Sequence, residues 1–545
     1  MPVKLIINSQ PIEAAPGLSL FDYAERLGVR VPTSCHKQGK CRECLVEVVE
    51  GRERLSAPSE EERHLKGDFR LSCRARVTAE SGPIVCHTLR RSAMRIETDA
   101  APGALGTSAP LEPAVTRDGD RVLLDGEEID RSAGALHGLA MDLGTTTVVL
   151  RLIDLESGRR VATTSFENPQ RFGGSDVMAR IHYDTEHKGR LLQRTLLGYL
   201  THAIEDLPVD PLSIYEVVVV GNPTMRDLFF GLDVYSIGQR PYRSITEHER
   251  LEGKRETTCL TVEARRLRLP IHPRARVVGL PLISGHVGAD AAACLLAIDL
   301  AREERLVALM DIGTNTELVV GNRHRILAAS CPAGPAFEGG AVSCGMPALD
   351  GAIERIAIGD TGGVEAQVIG GGPPEGICGS GLVDLLGELR RTERMNALGR
   401  LHGGEGRFAV DETRDISLLE GDISELAQAK GANVAGLRIV LGRYGLESDE
   451  VERFYLAGGF ARHIDVAAAR RIGLIPDLPD EKIVQVGNAA IEGASIALLS
   501  RARRAELEGL VRRIEHVELE TDPDFFDHFV MGCQFRPLGL SAEPA

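Results

Sequence analysis

Residues 136–169, LHGLAMDLGTTTVVLRLIDLESGRRVATTSFENP, and residues 305–334, RLVALMDIGTNTELVVGNRHRILAASCPAG, describe one plan twice. Each reads as strand, tight turn, strand, turn, strand. Their centres, MDLGTTT at 141–147 and MDIGTNT at 310–316, agree at five of seven positions. The repeat covers a whole meander and not merely a word, which points to a duplicated lobe. A strand ending in Asp and followed by Gly-Thr makes a sharp hairpin, and the glycine lets backbone N–H groups converge on an anion. Threonine hydroxyls add donors, and the aspartate stands where it can hold a hydrated Mg²⁺ beside phosphates. On this reading Asp142, Gly144, Thr145 and Thr146 form the first hairpin, and Asp311, Gly313, Thr314 and Asn315 the second. A lone Asp-Gly-Thr is an ordinary turn. Two, in matching meanders, could hold one triphosphate from both sides.

Two glycine turns extend the pattern. CGSGLVD at 378–384 opens a helix, so Gly379, Ser380 and Gly381 could face an anion at its N-terminus. YLAGGFA at 455–461 ends an apolar strand, and Gly458 and Gly459 would give adenine and ribose a flat floor. Glu338, in AFEGG, could orient water or Mg²⁺, or serve as a structural hydrogen-bond acceptor. Asp290 reads as an N-cap or a metal or phosphate contact. Helical patterns run through 180–207, 382–395 and 424–445, and GGSDVMARIHY at 173–183 reads as a segment gating the cleft.

The N-terminal stretch carries different chemistry. VKLIINSQ alternates like a strand, LSLFDYAERLG has helical spacing, and LVEVVEG, LSCRARV and PIVCHT read as further strands. Cys35, Cys41 and Cys44 in SCHKQGKCREC, with Cys73 in LSCRA, are spaced C-x5-C-x2-C-x28-C. Three thiolates in one loop and a fourth from a distant strand can enclose a [2Fe–2S] cluster. Structural zinc is the alternative, but zinc sites usually pair two C-x2-C hooks, and only one is present. Gly39 permits the sharp wrap, and Lys37, Lys40 and Arg42 offset part of the cluster's negative charge. Cys86 reads as a core thiol. Cys331, Cys344 and Cys378 read as small buried residues.

Composition sets outer limits. The net charge is −16, there is no Trp, and aromatics are 4%, which argues against nucleic-acid binding. The N-terminus MPVKLIINSQ lacks the features of a signal peptide, and no run of 18 apolar residues offers a membrane span. Eleven cysteines without a leader fit reduced thiols and metal ligation, hence a cytoplasmic location. The 59 glycines sit between apolar runs, as tight turns require.

The cysteine loop resembles that of [2Fe–2S] ferredoxins with the β-grasp fold, with one residue more than the plant-type spacing. From about 137 to 535 the chain looks like the acetate and sugar kinase, heat-shock chaperone and actin superfamily, on MDLGTTT, MDIGTNT and LAGGFA. GNPTM at 221–225, GHVGAD at 285–290, CPAGPAFEGG at 331–340, GICGSGLVD at 376–384 and GNAAIEGA at 487–494 are similar to the reductive activators of corrinoid proteins. The fold expected is therefore multidomain: an α+β β-grasp ferredoxin domain over 1–95 and a linker over 96–136. Duplicated α/β ribonuclease-H-like (actin-type ATPase) lobes follow over 137–300 and 301–535, the second with the adenosine site, then a tail over 536–545.

The resemblance implies an ATP-hydrolysing reductase that takes one electron from a donor. It would pass that electron from the cluster to a corrinoid protein or corrinoid-dependent methyltransferase, converting Co(II) to Co(I). It also implies Mg²⁺ with the ATP and a tendency to homodimerise. Three readings compete: an activator of another low-potential enzyme, a small-molecule kinase with a redox domain, and an electron carrier whose ATPase motifs are inert.

Overall fold

The computed structural model describes residues 3–89, 95–96, 110–359, 362–403, 405–459 and 461–538. The chain forms two compact units. The first runs to Gly285 and also takes Ala494–Arg504, and the second contains His286–Gly493.

The first unit begins with a five-stranded sheet. Its order is Gln10–Ala14, Val3–Ile7, Gly82–Thr88, Leu45–Glu50, Phe69–Leu71, with the second and third strands parallel. The helix Leu20–Arg26 starts at a capping box, in which Ser19 and Asp22 satisfy each other's backbone N–H. Its Leu20, Phe21, Tyr23 and Ala24 are buried. This is the small α+β domain expected, with Cys86 in its core.

A seven-stranded sheet follows in the same unit. Its centre holds the meander His137–Leu143, Thr147–Asp154 and Arg160–Glu167, with Ile214–Gly221 and then Arg276–Gly279 added in parallel beside the first strand. The second unit repeats the plan with Val307–Asp311, Thr316–Gly321 and Ile326–Cys331, extended in parallel by Arg453–Ala457 and Ile483–Gly487. The duplication inferred from two three-strand meanders thus extends to five strands per lobe. All eight residues of Ile214–Gly221 are buried, as a strand covered on both faces requires. Its Glu216 is tolerated because Arg276 and Arg504 approach it at 2.6 and 2.9 Å.

Three expectations need correction. The helical pattern over 180–207 is two helices, Val177–Glu186 and Leu191–Glu205, because Gly189 and Arg190 take left-handed backbone between them. The connector is not featureless: Val115–Asp118, Arg121–Leu124 and Glu127–Arg131 form a three-stranded sheet. Its second turn is Asp125-Gly126, both with positive φ, a geometry suited to a two-residue hairpin. Residues 97–109 of the linker and 539–545 of the tail lie outside the described residues. Finally, the helix Ala289–Ala297 is N-capped by Gly288, and Asp290 lies in its first turn. Among the described residues no helix is long and apolar enough to cross a membrane.

The ferredoxin-like domain and the first lobe share one hydrophobic core. The strand Phe69–Leu71, which leads into the turn carrying Cys73 and so corrects the expectation of a cysteine within a strand, is anchored by a buried ion pair. Glu62 accepts from Arg70 Nε at 2.8 Å, Leu71 N at 2.9 Å and Ser59 N at 2.7 Å, and both charged side chains are 1% exposed. Burial alone would raise the Glu62 carboxyl, but Arg70 and the two backbone donors outweigh it and hold it low. Glu62→Ala strands the Arg70 charge and should cost about 3–5 kcal/mol in urea unfolding of the full chain. The wild type should lose this contribution as pH falls below the ordinary glutamate range, and the variant should show no such loss.

Candidate functional site

The cysteine loop winds through left-handed backbone at His36, Lys37, Gly39 and Arg42. That path turns amide groups inward. Burial opposes ionisation of Cys35, yet the backbone N–H groups of Cys41, Lys40 and Gln38 and the Cys41 side chain bring its thiol down to about 7. Cys44 Sγ donates to Cys73 Sγ at 3.3 Å, and the Gly39 N–H also serves Cys73. At Gly39 φ is +75°, and a Cβ would stand 2.4 Å from Arg74 Nε, so any other residue would be strained and would displace the Arg74 side chain. Cys35 with Cys41, and Cys44 with Cys73, form two interacting pairs beside inward-facing amides, a donor set suited to a [2Fe–2S] cluster, which would supply one-electron transfer when bound.

Polar contacts at Lys37 and at Glu43 hold the loop. Lys37 Nζ reaches Asp22 at 2.8 Å and Glu25 at 2.6 Å. Glu43, between Cys41 and Cys44, accepts from Ser34 Oγ at 2.6 Å and pairs with His202 Nε2 at 3.2 Å. His202 lies on Leu191–Glu205, so a helix of the first lobe clamps the loop.

The two hairpins have matching burial. Thr145 and Thr314 are buried, whereas Asp142, Gly144, Thr146, Asp311, Gly313 and Asn315 are partly exposed. In the first, Asn222 Nδ2 donates to Thr145 Oγ1 at 2.9 Å, Asn168 Nδ2 to the Gly144 carbonyl at 2.8 Å, and Arg180 Nη2 to the Thr145 carbonyl at 2.6 Å. Arg180 is fully buried, so the segment read as a gate is tied to the hairpin. Asn222 also caps Pro223–Phe230, with its side chain accepting from Met225 N.

The second hairpin gathers acids. Thr314 Oγ1 donates to Glu338 Oε2, and the Thr314 carbonyl accepts from Gly334 N at 2.9 Å. Cys294 Sγ donates to Asp311 Oδ2 at 3.3 Å. Burial, countered in part by Cys294 and reinforced by the Glu338 charge, pushes Asp311 up to about 6. Burial and the charges of Asp290 and Asp311 push Glu317 well up. Glu317 was not singled out in the sequence, although it directly follows MDIGTNT.

The adenosine-motif glycine reaches this hairpin. Ile312 N donates to the Ala457 carbonyl at 2.9 Å, and a Cβ on Gly458 would stand 2.2 Å from the Ile312 carbonyl oxygen. Gly459 is exposed with open space above it. Gly379, Ser380 and Gly381 open the helix Gly379–Arg391, which packs on Ala336–Glu338. Ser380 Oγ already donates to the Glu354 carbonyl at 3.0 Å, and a Cβ on Gly381 would meet the Ile353 carbonyl oxygen at 2.4 Å. Both positions therefore serve packing against Ala352–Ile358. Cys331 and Cys378 are buried and Cys344 is half-buried.

Comparison with known proteins agrees along the chain. Residues 5–78 match a 2Fe-2S iron-sulfur cluster binding domain, 137–303 the RACo middle region, and 305–544 the C-terminal domain of RACo, the ASKHA domain. The chain is 32% identical over 430 residues to the corrinoid activation enzyme RamQ of Eubacterium limosum, covering 73% of this chain and 70% of that one. It is 23% identical over 451 residues to the Co(II) methylated amine-specific corrinoid protein reductase of Methanosarcina barkeri, covering 75% and 78%. A solved reductive activator for corrinoid, iron-sulfur protein superposes with a TM-score of 0.72 at 28% identity, covering 98% of each chain. Fold and site together define an iron–sulfur protein built onto an ASKHA-type ATPase fold. More particularly, the chain belongs to the RACo family of reductive activators of corrinoid proteins.

Asp311 yields a test with two opposed outcomes. A carboxyl raised from 3.8 to about 6 destabilises the fold as pH rises through 6, because the charged form is the one that burial penalises. Asp311→Asn should therefore stabilise the nucleotide-free protein at pH 8 by roughly 2 kcal/mol, a gain that vanishes below pH 4. The same variant should lose ATP hydrolysis. Thermal unfolding at the two pH values, with a phosphate-release assay, checks both.

Proposed function

We propose that this protein is an ATP-dependent reductive activator, delivering one electron from a [2Fe–2S] cluster at Cys35, Cys41, Cys44 and Cys73 to a corrinoid protein. The electron converts Co(II) of the partner's corrinoid to Co(I), and a separate donor restores the cluster. The observation that carries the reading is the joining, in one chain, of a three-thiol loop with inward amides, met by a fourth thiol at Cys73, to duplicated Asp-Gly-Thr hairpins.

The chain's own residues have distinct tasks. Gly144, Thr145 and Thr146, with Gly313, Thr314 and Asn315, present backbone amides to nucleotide phosphates, and Thr146 adds its hydroxyl, the Thr314 hydroxyl being given to Glu338. Asp142 in the first hairpin, and Asp311 and Glu338 at the second, would supply carboxylate oxygens to hydrated Mg²⁺ and to the attacking water. Gly458 and Gly459 receive adenosine. The Gly379–Gly381 helix start contributes its N-terminal dipole through Gly379, since Ser380 and Gly381 are engaged in packing.

Energetics explain the need for ATP. Moving one electron uphill by 100 mV costs about 2.3 kcal/mol. Nucleotide offsets that cost only by binding one conformation more tightly than another. The partner's corrinoid is thus reducible in one conformation and less so in the other.

The test mixes reduced protein with a Co(II) corrinoid protein and follows cobalt absorbance with and without Mg-ATP. Co(I) should accumulate only with Mg-ATP. Cys73→Ser should abolish the electron transfer and leave ATP hydrolysis. Asp142→Ala should lower hydrolysis about a hundredfold and leave the iron content intact. Equal Co(I) yields with and without nucleotide across several partners would sink the ATP-dependent reading.

A further inference from the structure

Two adjacent carbonyls of the first hairpin are held by elements that also hold His64 of the ferredoxin-like domain, all within the first unit. The Gly144 carbonyl accepts from Asn168 Nδ2 at 2.8 Å. Asn168 caps the turn Pro169–Gly173, its side-chain oxygen accepting from Gln170 N at 2.9 Å. That turn carries Phe172, whose ring lies edge-on to His64 with centroids 5.6 Å apart, and edge-on to Tyr183 at 5.5 Å. The Thr145 carbonyl accepts from Arg180 Nη2 at 2.6 Å. Arg180 lies three residues before Tyr183 on Val177–Glu186, so the two are neighbours on the helix surface. Tyr183 Oη donates to the His64 carbonyl at 2.7 Å. Phe172, Arg180 and Tyr183 are fully buried, so water does not stand in for these contacts.

From His64 the path to the sulfur ligands is short. Leu65 N donates to the Glu62 carbonyl at 2.8 Å. The Glu62 carboxylate binds Arg70 and Leu71 N, and the Leu71 carbonyl takes the amides of Arg74 and Ala75, which encloses Cys73. His64 thus sits on the segment that seats Cys73.

The hairpin end of the path has a definite mechanism. A peptide unit is planar and trans, so its N–H and C=O point in opposite directions. The Gly144 carbonyl shares a unit with the Thr145 N–H, and the Thr145 carbonyl with the Thr146 N–H. An anion taken by those amides polarises the same units, and the bonds their carbonyls accept strengthen with it. Bound phosphate therefore tightens the hold on Asn168 and on Arg180 together.

We propose that Tyr183, braced by Phe172, is a positioning residue through which nucleotide at the first hairpin tightens residues 62–73 and so fixes the seat of Cys73. The proposal rests on the reading of Thr145 and Thr146 as phosphate-binding amides. The two routes leave neighbouring carbonyls and converge on one residue, so His64 is tied to the hairpin from two directions.

Hydrogen exchange of the full chain, read by mass spectrometry with and without Mg²⁺ and the β,γ-imido analogue of ATP, tests this. Protection over 143–147 reports nucleotide on the hairpin. In the wild type the amides of 62–73 should also slow by about fivefold. In Tyr183→Phe, which removes only the hydroxyl, the hairpin should still be protected, and the response over 62–73 should fall below about twofold. A wild-type hairpin protected with no change over 62–73 overturns the proposal. So does a response retained in Tyr183→Phe, or hairpin protection lost in it. Should that variant fail to fold, Phe172→Leu, which strands no carbonyl, decides in the same terms. Without protection over 143–147 in the wild type the phosphate reading itself fails, and the proposal with it. In the cobalt assay Tyr183→Phe should slow Mg-ATP-dependent Co(I) formation about fivefold and leave ATP hydrolysis within about twofold of wild type. Hydrolysis and electron transfer falling together would mark a merely structural role and overturn it. The exchange measurement needs no corrinoid partner, so it decides the point even where that assay yields no Co(I).

Discussion

Each phosphate hairpin keeps its shape because a polar side chain from elsewhere reaches into the turn. A Gly-Thr turn at a strand end exposes carbonyls on its inner side as well as amides on its outer side. The inner groups must be satisfied where water is excluded. In the first lobe Asn168, Asn222 and Arg180 supply that satisfaction at Gly144 and Thr145. In the second, the Gly334 amide binds the Thr314 carbonyl, and Glu338 takes the Thr314 hydroxyl. The first set is cationic and neutral, and the second is acidic. The two lobes share a backbone plan but are not chemically interchangeable. The acidic lobe is the one with oxygen ligands suited to a hard cation.

The cysteine loop obeys the same logic. A loop with several left-handed non-glycine residues stores strain that its surroundings must over-determine. Here Lys37 binds the helix before the loop, and Glu43 binds Ser34 within it and His202 on the first lobe. Burial would raise the Glu43 carboxyl, but His202 and Ser34 reverse this and hold it low. The charged form of Glu43 therefore belongs to the docked arrangement, which links the sulfur ligands mechanically to a helix of the ATPase fold.

What the sequence made legible follows from where the information lies. The meanders, the capped helix at Leu20–Arg26 and the four cysteines are local patterns, set by periodicity, spacing and turn chemistry. The partners that fix them are not local. Thr145 and Asn222 are 77 residues apart, and Glu43 and His202 are 159 apart. Asn222 had a local signal, since Asn before Pro is a helix start, but nothing nearby says that its amide also serves a turn. The sheet over 115–131 hid for another reason. Its strands are short and charged, so the alternation that marks a half-buried strand is weak, and only VLL at 122–124 and the turn-rich sequence around it showed. Gly381 read as an anion-facing glycine because a close backbone approach to a ligand and one to a neighbouring strand demand the same residue.

The acids at the second hairpin show why its nucleotide-free form is costly to keep. Asp311, Glu317, Asp290 and Glu338 repel one another where burial already disfavours charge, and both Asp311 and Glu317 respond by holding protons more tightly. Such a cluster contributes nothing to folding that apolar residues would not supply better. A bound cation reverses the balance, since the oxygens that repelled one another then share a ligand. Anything that binds only the folded form stabilises it by mass action, and the stabilisation is largest where the empty site is most strained. Glycine at 458 presses the adenosine turn against Ile312 in the same hairpin. The acids and the Gly458–Gly459 turn therefore meet on one short piece of backbone. A change at either one is felt at the other through that contact.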